Sequence, residues 1–298
     1  MGAWTMGDKA GNYGPQWGIV GKWKERNEQL NMTILFITQD DPFYIPHFFR
    51  EFFAHCRDPE IKVDGIVIQA PLGKKSMGAL MKQMLAFYGW VDFLRVGFKF
   101  AFYKVMNAIA TRGFRGRFPG NFSLEHFLLK NRIRIVHCPD VNVTSFIDTL
   151  KSRKLDLIVS VAASQKFRKD LLSAPRYGCI NVHNSKLPRN RGMLPNFWSL
   201  YRFDSDPVSG MTVHKMNETL DDGAIVLQEE LRLDPSESLE DLIVRTKKLN
   251  AHLILKALSL YKNGEPALLP NDSTQATYNS FPTREDVKRF RAKGLRIL

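Results

Sequence analysis

Short apolar runs alternate with helix-length amphipathic segments along most of the chain. The runs lie at 33–37, 65–68, 133–136, 156–161 and around 180–182, and they are rich in Ile, Val and Leu. Continuous apolar runs of this kind are typical of strands buried on both faces, and helices are the usual connections between parallel strands. The pattern therefore predicts an α/β fold with a largely parallel central sheet.

Helix and strand signals also occur outside these five runs. The additional predicted elements are a helix over 45–53, strands over 210–216 and 224–230, a long helix from Ser238 to about Lys262, and a short basic helix over 283–293. Ser238 and Asp241 have the spacing of a capping box, and Gly264 follows the last amphipathic turn. The sequence thus predicts a short helical tail after the sheet.

An insert at 73–120 separates the second and third predicted strands. Met and Leu at helical spacing precede an aromatic-rich stretch, which Asp92, Arg95 and Lys99 interrupt. A transmembrane helix needs about 20 nearly uncharged residues, so this stretch is not a clean membrane span. Three interpretations stay open: helices packed on the domain or on a second subunit, a basic amphipathic surface resting on a membrane, or a lid over the substrate. We expect the apolar face to be buried in protein, because Asp92 would be repelled by an anionic bilayer.

Composition limits the class of protein but does not identify its binding partner. The chain has 298 residues, 44% of them hydrophobic, which suits one large core with a small appendage. Its three cysteines are scattered, which argues against a disulfide framework or a structural zinc site and favours a reducing cytoplasm. The net charge of +13 favours anionic partners, such as nucleic acid, nucleotide-linked metabolites, polyglutamated folate or an acidic membrane surface.

Asn181, His183 and Asp221 are the strongest candidates for chemistry. Asn181 and His183 stand two apart in the apolar run, so the period of a strand turns both side chains to one face. A carboxamide donates hydrogen bonds to a developing oxyanion, and an imidazole exchanges a proton near neutral pH. Asp221, on a turn-like Leu-Asp-Asp-Gly stretch, is placed to orient the imidazole and to stabilise its protonated form. The trio suits attack of a nucleophile on a carbonyl carbon.

Several short motifs surround these three residues and follow one another along the chain. They are Asn-x-His at 181–183, Ser-x-Leu-Pro at 185–188, Arg-Gly at 191–192, Gly-x-Thr at 210–212 and Leu-Asp-x-Gly at 220–223. This order resembles that of the formyltransferases that use 10-formyltetrahydrofolate, and the resemblance extends from about Met32 to Leu233. The loop after the His departs from the family's Pro-Ser-Leu-Leu-Pro, because Asn184 and Lys186 replace a Pro and a Leu.

The resemblance implies a Rossmann-like fold, 10-formyltetrahydrofolate as the formyl donor and an amine as the acceptor. It implies that Asn181, His183 and Asp221 are catalytic: the neutral amine attacks the formyl carbon, and Asn181 with protonated His183 stabilises the oxyanion. Asp221 holds the imidazolium and relays the proton through water to the folate nitrogen that leaves. Contacts to the cofactor are expected from the loop residues Ser185, Leu187 and Pro188.

The acceptor is inferred by elimination. Methionyl-tRNA formyltransferases add a tRNA-binding β-barrel, for which the segment after Leu233 has neither the length nor the strand pattern. We therefore expect an anionic small-molecule amine, most simply a nucleotide-linked amino sugar, and no nucleic acid. The alternatives are a methionyl-tRNA formyltransferase-like enzyme and a formyltetrahydrofolate hydrolase. The expected organisation is a loose extension over 1–31, a catalytic domain over 32–233 and a helical, basic tail over 234–298.

The remaining polar residues have simpler interpretations. Asp222 is expected to be a turn residue before Gly223, and Arg191 with Gly192 either shapes the loop between cofactor and acceptor or forms a surface turn. The other histidines are expected to be structural; they are His47, His55, His126, His137, His214 and His252. No cluster has the spacing of metal ligands, so no metal is expected in the chemistry, and the first strand is not followed by the glycine fingerprint of dinucleotide enzymes.

Overall fold

The structure is a computed structural model that describes residues 31–70, 77–110 and 123–298. The predicted N-terminal extension lies outside the described residues except for Asn31, and so do both ends of the predicted insert, 73–76 and 111–120. Within the described ranges, no helix is both long enough and apolar enough to cross a membrane.

Nine strands and eight α-helices form the described part of the chain. The strands are β1 (Met32–Gln39), β2 (Ile61–Gln69), β3 (Ile135–Val136), β4 (Leu157–Val161), β5 (Cys179–His183), β6 (Arg191–Gly192), β7 (Val208–Lys215), β8 (Ile225–Arg232) and β9 (Tyr278–Asn279). The helices are α1 (Ile45–His55), α2 (Met77–Ala108), α3 (Leu124–Lys130), α4 (Thr144–Ser152), α5 (Lys169–Leu172), α6 (Pro195–Tyr201), α7 (Leu239–Lys262) and α8 (Arg284–Ala292). Every strand and helix that the sequence predicts is present, with ends displaced by a few residues.

The main sheet has the order β3-β2-β1-β4-β5-β7-β8. Strands β1 to β5 are parallel, whereas β7 runs antiparallel to both β5 and β8. The predicted Rossmann-like, largely parallel sheet is therefore confirmed. The chain moves outward in one direction from β1 to β3 and in the other from β4 to β5, so the strand order reverses between β1 and β4. In open α/β sheets, ligands bind at such a reversal, beyond the carboxyl ends of the strands.

Alternating side chains of β1 divide the core into two layers. Ile34 and Phe36 point into a cluster with α1 and α7, whereas Leu35 and Ile37 point into a cluster with α4 on the opposite face. The aromatic helix α1 fills the first cluster with edge-on phenyl contacts to Phe36 at centroid distances of 4.9 to 6.0 Å. Because both faces are covered, the strands are almost fully apolar, which explains the uninterrupted runs in the sequence.

The C-terminal segment packs on the rest of the domain. Ser238 caps α7 by accepting the Asp241 N–H, Thr283 and Asp286 form a capping box on α8, and both helices contribute to the core. The third hydrophobic cluster joins α8 to α6 through stacked Phe290 and Phe197, 4.6 Å apart. The tail is thus a structural part of the domain that carries the sheet.

The described part of the insert is one helical element with a break at Gly89, where φ is +73°. Polar contacts join it to the domain: Lys99 pairs with Glu240 at 2.7 Å, and Arg291 of α8 lies 3.4 Å from Asp92 and donates to the Tyr88 carbonyl. Among its apolar side chains, Phe87 packs in the third hydrophobic cluster, whereas Trp90 and Phe98 are 65% and 78% exposed. The exposed apolar face is therefore not buried in its own domain, and its burial in a homodimer stays a prediction.

Candidate active site

Strand β5 places Asn181 and His183 together. Ile180 and Val182 pack into the first core cluster, so the period of two turns Asn181 and His183 to the opposite side. Both lie at the carboxyl end of the parallel part of the sheet, and His183 is only 7% exposed. This is the arrangement that the sequence predicts for the pair.

Asp221 reaches the same place from the turn between β7 and β8. Its Oδ1 lies 3.5 Å from His183 Nδ1, and its Oδ2 accepts the Gly192 N–H at 2.9 Å. The turn is tight: a Cβ at Gly223 would lie 1.8 Å from the Lys215 carbonyl oxygen, so only glycine fits there. The structure therefore brings the three predicted catalytic residues into one group.

Burial sets the charge of the His183–Asp221 pair. Removal from water lowers the pKa of His183 below its ordinary value, although the Asp221 carboxylate opposes that shift. Burial alone would raise the pKa of Asp221, but the adjacent His183 and the Gly192 N–H outweigh it and bring this pKa to about 2. At pH 7 the pair thus consists of a carboxylate beside a neutral imidazole. His183 Nε2 lies 2.8 Å from the Asn190 carbonyl oxygen, a contact that no motif in the sequence indicates.

His214 contacts the amide of Asn181. Its Nδ1 lies 2.8 Å from the Lys215 carbonyl oxygen, and its Nε2 lies 3.2 Å from Asn181 Nδ2. When Nδ1–H donates to that carbonyl, Nε2 carries the lone pair and accepts from the amide, which fixes the direction of the Asn181 side chain. The same Nε2 lies 3.7 Å from Asp221 Oδ1. The expected structural role of His214 thus becomes a specific one, that of orienting Asn181.

The loop after β5 holds the predicted cofactor-binding residues in different environments. Ser185 is fully buried, and its hydroxyl donates to the Arg189 carbonyl at 2.7 Å. Leu187 is also buried, with its N–H directed to Thr212 Oγ1 and its carbonyl accepting from Gln228. Pro188 is half-buried. Ser185 and Leu187 stabilise the loop from inside, and their contact with a cofactor stays a prediction.

Arg191 links the loop to the Asp221 turn. It is only 2% exposed, and it pairs with Asp222 at 2.5 Å and donates to Asn271 Oδ1 at 2.8 Å. Asn271 in turn donates to the main-chain carbonyls of Asp221 and Gly223, 3.0 Å from each. The interpretation of Arg191 as a surface turn is wrong, and Asp222 is an ion-pair partner as well as a turn residue. The contribution of Asn271 has no counterpart in the predicted motifs.

Helix α7 forms hydrogen bonds that support the loop after β5. Asn250 donates to Asn184 Oδ1 at 2.7 Å, and Thr246 accepts from Asn196 at 2.8 Å. Lys247, between them, is buried, and burial lowers the pKa of its amine although the carboxylate of Asp41 opposes that shift. In the sequence this lysine belongs to a Lys-Lys pair on an amphipathic helix, which is typical of a solvated face. Its burial was therefore not predictable from the pattern.

A cleft of about 270 Å³ opens at the same edge of the sheet, beyond β1, β2 and β3. Its lining is mostly polar and includes Asp40, Gln69, Lys104, Glu125 and His137. Strand β2 is three strands from β5 in the sheet, and strands are about 4.8 Å apart, so the cleft lies roughly 14 Å from Asn181 and His183.

Comparison with known proteins shows what the segment around this site is similar to. Residues 140–258 match the family model described as formyl transferase. A methionyl-tRNA formyltransferase from Lachnospira eligens is 37% identical over 134 residues, which cover 45% of this chain and 42% of that protein. The segment that carries the site is therefore similar to formyltransferases. The matched segment contains Asn181, His183 and Asp221, begins later than the predicted resemblance, and continues through most of α7.

Two solved structures share the fold. A sugar N-formyltransferase from a Shewanella species is 18% identical, with a TM-score of 0.52 over 88% of this chain and 87% of that one. An N-formyltransferase from Helicobacter canadensis, solved with folinic acid and dTDP-3-aminofucose, is 14% identical, with a TM-score of 0.52 over 88% and 80%. By contrast, the chain spans only about half the length of the methionyl-tRNA formyltransferases that it matches.

Proposed function

We propose that this protein transfers a formyl group from 10-formyltetrahydrofolate to an amine. The observation that carries the proposal is the convergence of Asn181, His183 and Asp221 inside the segment that matches the formyl transferase model. The Helicobacter canadensis structure, which holds a formylated folate and an amino sugar nucleotide, supports the same pair of ligands. Of the three loop residues expected to contact the folate, Pro188 is the one that is not fully buried.

The proposed chemistry follows from the polarity of the three side chains. The neutral amine attacks the formyl carbon, and the electrons of the C=O bond move to oxygen, where the Asn181 amide donates a hydrogen bond. Collapse of this intermediate restores the C=O bond and breaks the bond to the folate nitrogen. One proton must move from the amine to that nitrogen. General acid–base help with such a transfer typically contributes about 10²- to 10⁴-fold.

The proton that His183 transfers comes from the attacking amine. Because burial keeps the resting imidazole of His183 neutral, the ring is suited to accept the amine proton as the new bond forms. Asp221, ionised beside it, then stabilises the imidazolium until the proton passes to the leaving nitrogen. In this order His183 becomes protonated as the oxyanion forms beside Asn181. The hydrogen bond from Nε2 to the Asn190 carbonyl must open for one ring nitrogen to face substrate.

We further propose a nucleotide-linked amino sugar as the acceptor. The cleft beyond β1 to β3 offers carboxylate, amide and imidazole groups, which suit the hydroxyl groups of the ribose of a nucleotide. Its distance from the catalytic group suits a ligand whose amino sugar lies at Asn181 and His183 while its nucleotide reaches the cleft. The methionyl-tRNA alternative is favoured by the sequence relatives, which match the catalytic segment at higher identity than the structures do.

A transfer assay separates these functions. Tetrahydrofolate release from 10-formyltetrahydrofolate is expected to require an added amine, and a panel of nucleotide-linked amino sugars is expected to include one that is N-formylated, as detected by mass spectrometry. Release in buffer alone, with accumulation of formate, would instead establish the hydrolase. Formylation of methionyl-tRNA with no reaction of any sugar would establish the tRNA alternative.

We propose that the exposed face of α2 contacts a second copy of this chain. Five exposed residues, spaced by three or four positions, form an apolar stripe: Val91, Leu94, Phe98, Phe102 and Val105. Such spacing is that of a helix–helix seam, and a two-fold axis would pair the stripe with itself. The charged side chains beside it already bind Glu240, Asp40 and Arg291 of the same chain, so few are left to attract an anionic membrane.

The stripe predicts a dimer that one charge disrupts. Light scattering coupled to gel filtration is expected to give twice the chain mass for the native protein and a monomer for Phe98→Glu, because a carboxylate would be buried at the centre of the seam. Leu260→Glu is the matched control, since Leu260 is an exposed apolar residue on α7, and it should stay dimeric. A native monomer that floats with anionic vesicles, while Phe98→Glu does not, would replace the dimer with the membrane alternative.

A further inference from the structure

Three metal-ligating side chains meet on the outer side of the first core layer, where α1 packs against α7. Glu51 and His55 are four positions apart on α1, which places them on one side of that helix. His252 comes from α7, and its Nε2 lies 2.9 Å from Glu51 Oε1. The rings of His55 and His252 are 4.6 Å apart. One ligand atom from each of the three residues lies within 4.8 Å of the others.

The distances are close to those of a bound ion. Zinc bonds to histidine nitrogen and carboxylate oxygen are about 2.0 to 2.2 Å long, so two ligands of a tetrahedral ion lie about 3.3 Å apart. The separation of His252 Nε2 from Glu51 Oε1 is 2.9 Å, which needs an adjustment of only a few tenths of an ångström.

Nδ1 is the nitrogen of His55 that lies beside the carboxylate. It is 3.3 Å from Glu51 Oε1 and 3.0 Å from the main-chain carbonyl oxygen of Glu51. As a ligand, Nδ1 would direct its lone pair to the ion and the ring proton would be on Nε2, so the contact with the carbonyl would open on binding. Two imidazoles and one carboxylate form a donor set typical of zinc, with a fourth position for water.

We propose that Glu51, His55 and His252 bind one Zn²⁺ ion, which joins α1 to α7. This site is separate from the proposed catalytic group and takes no part in formyl transfer. Its place is structurally significant because Asn250, two residues before His252, donates to Asn184 of the loop after β5. An ion at this position would hold the helix that supports the loop. The sequence does not suggest the site, since His55 and His252 are 197 positions apart (252 minus 55).

Isothermal titration of the full chain with ZnCl₂ tests the proposal. We expect one Zn²⁺ per chain, a higher melting temperature with Zn²⁺, and at least a tenfold loss of affinity in His252→Ala and in Glu51→Gln. All three side chains are partly exposed, so these variants are expected to keep the fold, and circular dichroism without metal checks this. Substitution with Co²⁺ should give the intense visible absorption of a four-coordinate ion.

Two control variants change residues on α1 or directly after its end. His47→Ala removes another histidine of α1 that is outside the trio, and Cys56→Ser removes the thiol directly after His55; both should bind Zn²⁺ as the native chain does. Equal affinity in the native protein and His252→Ala would overturn the proposal. Loss of binding in Cys56→Ser would do the same, because it would show that the thiol holds the ion.

Discussion

Replacing His183 with alanine is expected to lower formyl transfer by roughly 10²-fold or more, and Asn181→Ala is expected to have an effect of similar size. His183 is the only imidazole within 3.5 Å of the Asp221 carboxylate among the residues described, and Asn181 supplies the amide beside it. Each change removes a reacting group while the strand that carries it remains. The rate of tetrahydrofolate release with a saturating acceptor measures the loss.

Binding of folinic acid and the melting temperature separate a chemical effect from a folding effect. Both variants are expected to keep the ligand affinity within a few fold, because the proposed roles are in the transition state. His47→Ala is the matched control, since it removes an imidazole on α1 away from the catalytic group, and it should retain native turnover. Near-native turnover in folded His183→Ala would exclude the proposed proton transfer.

The parts of the fold that depend on local patterns were predictable from the sequence. Buried strands have continuous apolar runs, and α7 begins at a side-chain cap that the spacing of Ser238 and Asp241 indicates. The shared direction of Asn181 and His183 follows from the period of a strand alone. The closeness of Asp221 was inferred from a family motif rather than from any local pattern, because it depends on the β7–β8 turn lying beside β5.

Contacts that depend on the register between distant segments were not predictable in the same way. His214 orients Asn181 only because the two residues are opposite each other in the antiparallel β5–β7 pair. In the sequence, Arg191 resembles a surface residue, because its partners Asp222 and Asn271 are distant along the chain. For the insert, periodicity indicates that an apolar face exists but does not say which face meets the domain. Ion pairs with distant residues decide that orientation.

Asp221→Asn is expected to lower turnover by about 10²-fold or more while the turn keeps its shape. An asparagine oxygen still accepts the Gly192 N–H, so the link between the loop and the turn survives. What is lost is the negative charge 3.5 Å from His183 Nδ1, which stabilises the imidazolium that forms when the amine gives up its proton. The pKa of Asp221 is about 2, so this charge is present throughout the neutral range and its removal affects every turnover.

The neighbouring carboxylate provides the matched control. Asp222 pairs with Arg191 and accepts from Ser273, whereas Asp221 is the carboxylate beside His183, so Asp222→Asn is expected to leave turnover close to native. It should instead lower stability by about 1–3 kcal/mol, because the buried guanidinium loses its charged partner while keeping Asn271. Turnover and urea unfolding of the two variants measure these separate effects. Equal losses of turnover, or a larger loss in Asp222→Asn, would show that the second carboxylate serves the imidazole and that the assignment of Asp221 is wrong.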